Sequence, residues 1–173
     1  MKKLFLGLLL STALVSLTPR SSFSQAKPAG TPLSSVSDES SYYKFVSLLH
    51  SANLDATLQG LGSYTIFAPS NLVFRNISSA RMDSLTSDPA TLAKILKTHI
   101  IKGKLTKADI VKKITLGKGK ATLTNILGQP LKLVRSKNAQ LSITDASGHT
   151  AYFTDFDTKD PHAVIHGIDN VLL

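Results

Sequence analysis

A proline set directly after a strand-like run, and followed at once by helical spacing, leaves a chain few options. In Tyr64-Thr65-Ile66-Phe67-Ala68-Pro69-Ser70-Asn71-Leu72-Val73-Phe74-Arg75-Asn76-Ile77 the first five residues are rich in β-branched and aromatic side chains that suit a pleated surface. Pro69 has no N–H to give to a ladder and holds Ala68 extended, so pairing is expected to stop there. Ser70 is a good helix N-cap, and Leu72, Val73 and Phe74 with Ile77 return at helical spacing. Strand, corner and short helix therefore follow without a linker. The closing run Ala163-Val164-Ile165-His166-Gly167-Ile168-Asp169-Asn170-Val171-Leu172-Leu173 is nearly continuous in apolar residues and reads as a strand buried on most of its length.

Between these brackets the period changes once. Ser40 or Ser41 is placed to cap a helix in which Phe45, Leu48, Leu49 and Ala52 recur on one face. A second helix runs from Asp55 to Leu61 and ends where Gly60 and Gly62 let the backbone turn. Asp88-Pro89 opens another, with Leu92, Ile95, Leu96 and His99 on one face. Thr106-Lys107-Ala108-Asp109 is a capping box with Asp in the Glu position, opening a helix toward Ile114. From Lys120 the period is two: Lys120 to Asn125, Pro130 to Arg135, Gln140 to Asp145 and Ala151 to Asp155 read as strands separated by turns. Helices first and strands afterwards predict an α+β domain.

The two bracketing runs carry a resemblance. The first is similar to the N-terminal signature of fasciclin-type domains, a T-[IV]-F-A-P-[ST]-N-x-A-F string, and the last to their C-terminal signature, V-I-H-x-I-D-x-V-L-L. With both in order, the resemblance covers Ser41 to Leu173. It implies a small antiparallel β-sandwich with helices packed along one side, working as a binding or adhesion module. The motif positions in this chain are Thr65, Phe67, Pro69, Asn71, Phe74, His99, His166 and Asp169, and a structural role is expected for them. Asn71 and Asp169 are expected to bind backbone at the corners. His99 sits on an apolar face, so a buried, hydrogen-bonded ring is expected. Fasciclin-type domains often carry Tyr-His there, a pair linked in some members to integrin binding; here the Tyr is Thr98.

The start of the chain speaks to compartment. Lys2 and Lys3 precede an apolar run from Leu4 to Leu17, and Ser24-Gln25-Ala26 supplies small residues at a signal-peptidase site, so residues 1–26 read as a signal peptide cleaved near Ala26. The run is short for a membrane span and is followed by Pro19 and Arg20, so no transmembrane segment is expected in the mature chain. Lys27 to Ser40 has almost nothing to bury and reads as a flexible Pro/Ser-rich spacer. A secreted or periplasmic domain of residues 41–173 follows. With no cysteine, disulfides and thiolate metal sites are excluded and the core alone must hold the fold.

Candidate chemistry is sparse. His162 and His166 have H-x-x-x-H spacing, but in an extended run the rings fall roughly 13 Å apart, too far to share a metal. Asp155-x-Asp157-x-x-Asp160 lacks the glycine and glutamate of a calcium loop and reads as a solvated acidic loop. No nucleophile elbow or P-loop is present, so no catalytic residue, metal or cofactor is expected.

The net charge of +9 falls to +6 once Lys2, Lys3 and Arg20 leave with the leader. Lys94 to Lys120 contains nine lysines against the single acid Asp109, and Lys94, Lys97, Lys102, Lys104, Lys107, Lys112 and Lys113 are the candidate binding surface. A merely solvated face is the competing account. With no interleaved aromatics, sequence-specific nucleic-acid readout is not indicated. A protein or acidic polysaccharide at the cell surface, or anionic lipid headgroups, are the partners such charge suits. Tyr42 and Tyr43 either add contact area or cap the core. The alternatives to an adhesion module are a carrier or sensor of a small apolar ligand held between helices and sheet, and an enzyme without a recognisable motif.

Overall fold

The structure is a computed structural model, and it describes residues 32–173. The signal-peptide assignment and the first part of the spacer lie outside the described residues. In chain order the elements are α1 (Tyr43–Ser51), α2 (Asp55–Leu61), β1 (Tyr64–Pro69), α3 (Asn71–Arg75), α4 (Ser79–Ser87), α5 (Pro89–Thr98), β2 (Ile100–Lys102), α6 (Lys107–Leu116), β3 (Lys120–Thr124), β4 (Pro130–Arg135), β5 (Leu141–Thr144), β6 (Thr150–Lys159) and β7 (Ala163–Ile168). The domain is α+β.

The strands form one ladder in the order β2-β1-β7-β6-β5-β4-β3. The two bracketing runs lie side by side: β1 pairs with β7 in parallel, Tyr64 opposite Ala163 through Pro69 opposite Ile168. The other five strand pairings are antiparallel, as the resemblance implies, and this seam is the departure from it. Pro69 does not stop the pairing one residue early either; it closes the register, and the Ser70 N–H donates to the Ile168 carbonyl at 3.2 Å. The proline is tolerated because the Ser70 N–H serves the β7 side, and on the other side the last β1–β2 pair is Ile66 opposite Ile100, so the N–H that Pro69 lacks has no ladder partner to lose.

Burial on both faces explains why β1 and β7 read as continuous apolar runs. Tyr64, Ile66 and Ala68 with Ala163 and Ile165 join a cluster under α1, α2 and α5 that includes Phe45, Leu49, Leu58 and Leu96. Phe67 and Ile168 face the other way, into a cluster where Ile110 and Ile114 of α6 cover Leu131, Leu133 and Ile143 of the later strands. The pair is thus the partition between two cores.

β6 links the two parts of the ladder. Its first residues, Thr150 to Tyr152, pair with β5, and Phe153 to Lys159 pair with β7 through two register shifts. Each shift leaves unpaired residues on β6 and bends the strand. Asp157 in this stretch has φ of 62°.

Other expectations shift at the edges. The helix after β1 ends at Arg75, so Ile77 lies beyond it, and the Ser70 side chain makes no capping bond. α1 starts at Tyr43 with Tyr42 as N-cap, one or two residues later than a Ser41 or Ser40 cap would place it. The closing strand stops at Ile168, although Leu172 is fully buried. Leu33, inside the expected spacer, is 1% exposed and belongs to the first cluster, so that segment does have something to bury. α4 and β2 carry no strong periodic signal and were not expected. The capping box at Thr106 and Asp109 is present with both of its bonds.

Candidate functional site

The motif residues converge on chain junctions. Thr65, fully buried on β1, donates through Oγ1 to the Gly103 carbonyl at 2.7 Å and accepts from the Leu105 N–H at 2.8 Å. His166, fully buried on the neighbouring β7, bonds the Leu105 carbonyl through Nε2 at 2.8 Å. Two strands therefore hold both backbone groups of Leu105, and with them the loop that launches α6. Phe67 stacks on the His166 ring at 5.9 Å between centroids and meets Phe153 edge-on at 5.7 Å.

The histidine protonation states follow from the partners. His166 Nδ1 accepts from the Asp157 N–H at 3.3 Å, so Nε2 carries the proton given to Leu105. His99 is the reverse: Nε2 accepts from the Leu172 N–H at 3.0 Å, and Nδ1 donates to the Ile95 carbonyl at 2.9 Å. Burial disfavours the charged ring in both, pushing His99 from 6.5 down to about 4 and His166 down as well. Each ring has both nitrogens committed to backbone.

Asn71 and Asp169 hold corners. Asn71 accepts from the Lys44 N–H at 2.9 Å through Oδ1 and donates to the Ser40 carbonyl at 2.8 Å, tying α3 to the start of α1. Asp169 accepts from the Tyr152 N–H at 2.7 Å. Phe74 is buried in the first cluster.

The acidic run is corrected. Rather than a solvated loop, it is the bulged end of β6, and each carboxylate fixes a different segment. Asp155 accepts from the Tyr42 hydroxyl at 3.1 Å, Asp157 from the Lys107 N–H at 2.7 Å, and Asp160, 6% exposed, from the Ser35 hydroxyl at 2.8 Å. Asp145, unremarked as a site in sequence, is buried at 3% exposure and accepts from the His149 ring at 3.1 Å and the Leu173 N–H at 2.7 Å. No periodicity announces such tertiary partners.

The lysines are not gathered in the way their sequence density suggests. Lys94 and Lys97 ride on α5 over the first cluster, whereas Lys107, Lys112 and Lys113 ride on α6 over the second. Lys102 sits on the edge strand β2, where a charge discourages pairing with another chain. Lys104 donates to the Pro161 carbonyl at 2.7 Å, and the Lys107 ammonium lies 4.5 Å from the Phe156 ring centroid. Tyr42 caps the core; Tyr43 is 39% exposed. His162 is exposed ahead of β7 while His166 is buried within it, so the pair does not share a site. Among the described residues no group of three or more metal-ligating side chains occurs, and no helix is long and apolar enough to cross a membrane.

Comparison with known proteins places this architecture. The model of the fasciclin domain matches residues 40–173, and the chain belongs to the fasciclin-domain family. The Synechocystis protein sll1735 is 29% identical over 143 residues, 80% of this chain and 92% of that one. Pig transforming growth factor-beta-induced protein ig-h3 is 27% identical over 84% of this chain, which spans only 19% of it. Cell surface glycolipoprotein MPB83 of Mycobacterium bovis is 41% identical over 58 residues, 34% of this chain and 26% of that protein. Among solved structures, a FAS1 domain pair from the insect cell adhesion molecule fasciclin I superposes with a TM-score of 0.61 at 20% identity, covering 79% of this chain and 46% of that one.

Proposed function

We propose that this chain is an exported, non-enzymatic adhesion module of the cell surface, envelope or matrix that works through the outside of the domain. The observation that carries this reading is where the polar chemistry goes. His99, His166, Thr65 and Asn71 are spent on backbone at chain junctions, which leaves the exposed side chains as the means of contact. The relatives support the compartment: one is named a cell surface glycolipoprotein and another structure comes from a cell adhesion molecule.

For the finer contacts, the α6 lysines Lys112 and Lys113 are the favoured anchor, because both are exposed. An acidic polysaccharide is the partner we assign to them, with protein contacts or anionic lipid headgroups as the other outcomes. Binding of the exported protein to an immobilised acidic polysaccharide should fall steeply as salt rises, since exposed charges are screened within about 8–10 Å at physiological ionic strength. Lys112→Glu with Lys113→Glu should abolish it without altering the melting temperature. Salt-insensitive binding, or binding indifferent to the double substitution, contradicts this assignment.

A further inference from the structure

Helix α4 is the least anchored element. None of its described side chains is buried, and only Met82 and Leu85 are half-buried. Its hydroxyls turn back on its own backbone: Ser84 donates to the Ala80 carbonyl, Thr86 to that of Met82 and Ser87 to that of Ser84. Such bonds offer the backbone an alternative to the helix and weaken it. An element with few buried apolar contacts opens at low cost.

Beneath α4 lies an apolar void of about 20 Å³, walled by Leu48, Phe74, Ile77, Met82, Leu85 and Leu96 among others. His99 also lines it, but both its ring nitrogens are already bonded, so the void has nothing to offer a water molecule. The same Leu48, Phe74 and Met82 wall a cleft of about 330 Å³ between α1 and α4. On the other side, Ile77, Leu85 and Val171 are shared with a second cleft of about 330 Å³. The spaces adjoin under the helix, and together they reach the size of small-ligand sites. Their ends differ in charge. The cleft beside α1 is bordered by exposed Lys44 with the hydroxyls of Ser47 and Thr86; the far cleft is bordered by Asp169 together with His149 and Asn170.

We propose that α4 is a lid over a binding site for a long-chain fatty acid, with the carboxylate at Lys44 and the chain laid under the lid against Leu48, Phe74 and Met82. The void alone is too small for a chain, so the methylenes can run between the two clefts only with α4 displaced, and Lys44 marks the end that takes the carboxylate. This goes beyond the adhesion reading and does not rest on it.

The test uses the exported full chain and the fluorescent fatty acid cis-parinarate, displaced by palmitate below its micelle concentration. Saturable binding that palmitate reverses is expected. Lys44→Ala should weaken palmitate about two- to fivefold, the range of an exposed ion pair, and leave methyl palmitate unchanged. Met82→Trp, which fills the void from the lid side, should reduce both. Amides of residues 79–87 should gain hydrogen-exchange protection when palmitate is bound. Absence of saturable binding overturns the proposal. So does binding that neither substitution alters, or protection confined to residues outside the lid and its walls.

Discussion

His99 and His166 act as neutral hydrogen-bonding wedges, and that choice has a sign in pH. Both rings are harder to protonate folded than unfolded, so the unfolded chain takes up more protons as the solution is acidified. The stability they supply is complete above about pH 6.5 and is lost as pH falls from there toward 4, the values for His99 unfolded and folded. For His99 the loss is on the order of 3 kcal/mol at most. Denaturant midpoints measured between pH 7 and pH 4 should decline across this window, whereas a flat profile would refute the assignment of neutral buried rings. Tyr64 offers an independent check at the same scale. Its hydroxyl is the one buried side-chain polar atom without a partner among the described residues, and burial pushes its ionisation well above the ordinary tyrosine value. Tyr64→Phe should therefore be neutral or stabilising, by up to about 1 kcal/mol, in the same denaturant titrations. A clear destabilisation would reveal a partner for that hydroxyl.

At the scale of elements, the approach of Tyr42 and β6 to β7, beside its seam with β1, depends on one small residue. A methyl group at Gly167 would collide with the Tyr42 hydroxyl and come within 2.7 Å of Thr154 Oγ1, so the glycine is what lets Tyr42 cross β7 to reach Asp155. Gly167→Ala should cost about 1–3 kcal/mol, as overpacking does. Adding Tyr42→Ala should make the alanine cheaper, and a double-mutant cycle reads this as coupling. Strict additivity would mean the ring is not the obstacle. The seam also marks what the sequence made legible. Both flanking strands, the capping box at Thr106 and five of the six helices follow from local pattern, because period and capping chemistry are written in neighbouring residues. The parallel pairing is not local, and neither are the two register shifts of β6, which depend on Asp155, Asp157 and Asp160 finding partners far along the chain. α4 escaped because its apolar residues are too few to make a face, and β2 because three residues cannot show a period.

For the whole molecule, the described residues form two cores divided by the β1–β7 pair and covered by separate helices. That arrangement explains how a chain with no cysteine holds its fold. It also explains why the lysine-dense stretch looked like one site in sequence: the chain passes from the helix over one core to the helix over the other within a dozen residues, dividing its charge between them. Export itself is checked by N-terminal sequencing of the protein recovered outside the cytoplasm. A first residue of Lys27 is expected, and retention of Met1 would contradict the signal-peptide reading. Leu33 should be indispensable to the mature domain. A chain starting at Ser37 removes it from the first cluster and should melt at lower temperature, whereas an unchanged melt would leave that segment a spacer after all.

The adhesion role is tested most directly by particles coated with the protein and settled on cells of its source, with detachment read under rising shear. Coated particles should hold at shear that strips uncoated ones, and soluble protein should release them by competition. Detachment at the same shear as uncoated particles would contradict the account.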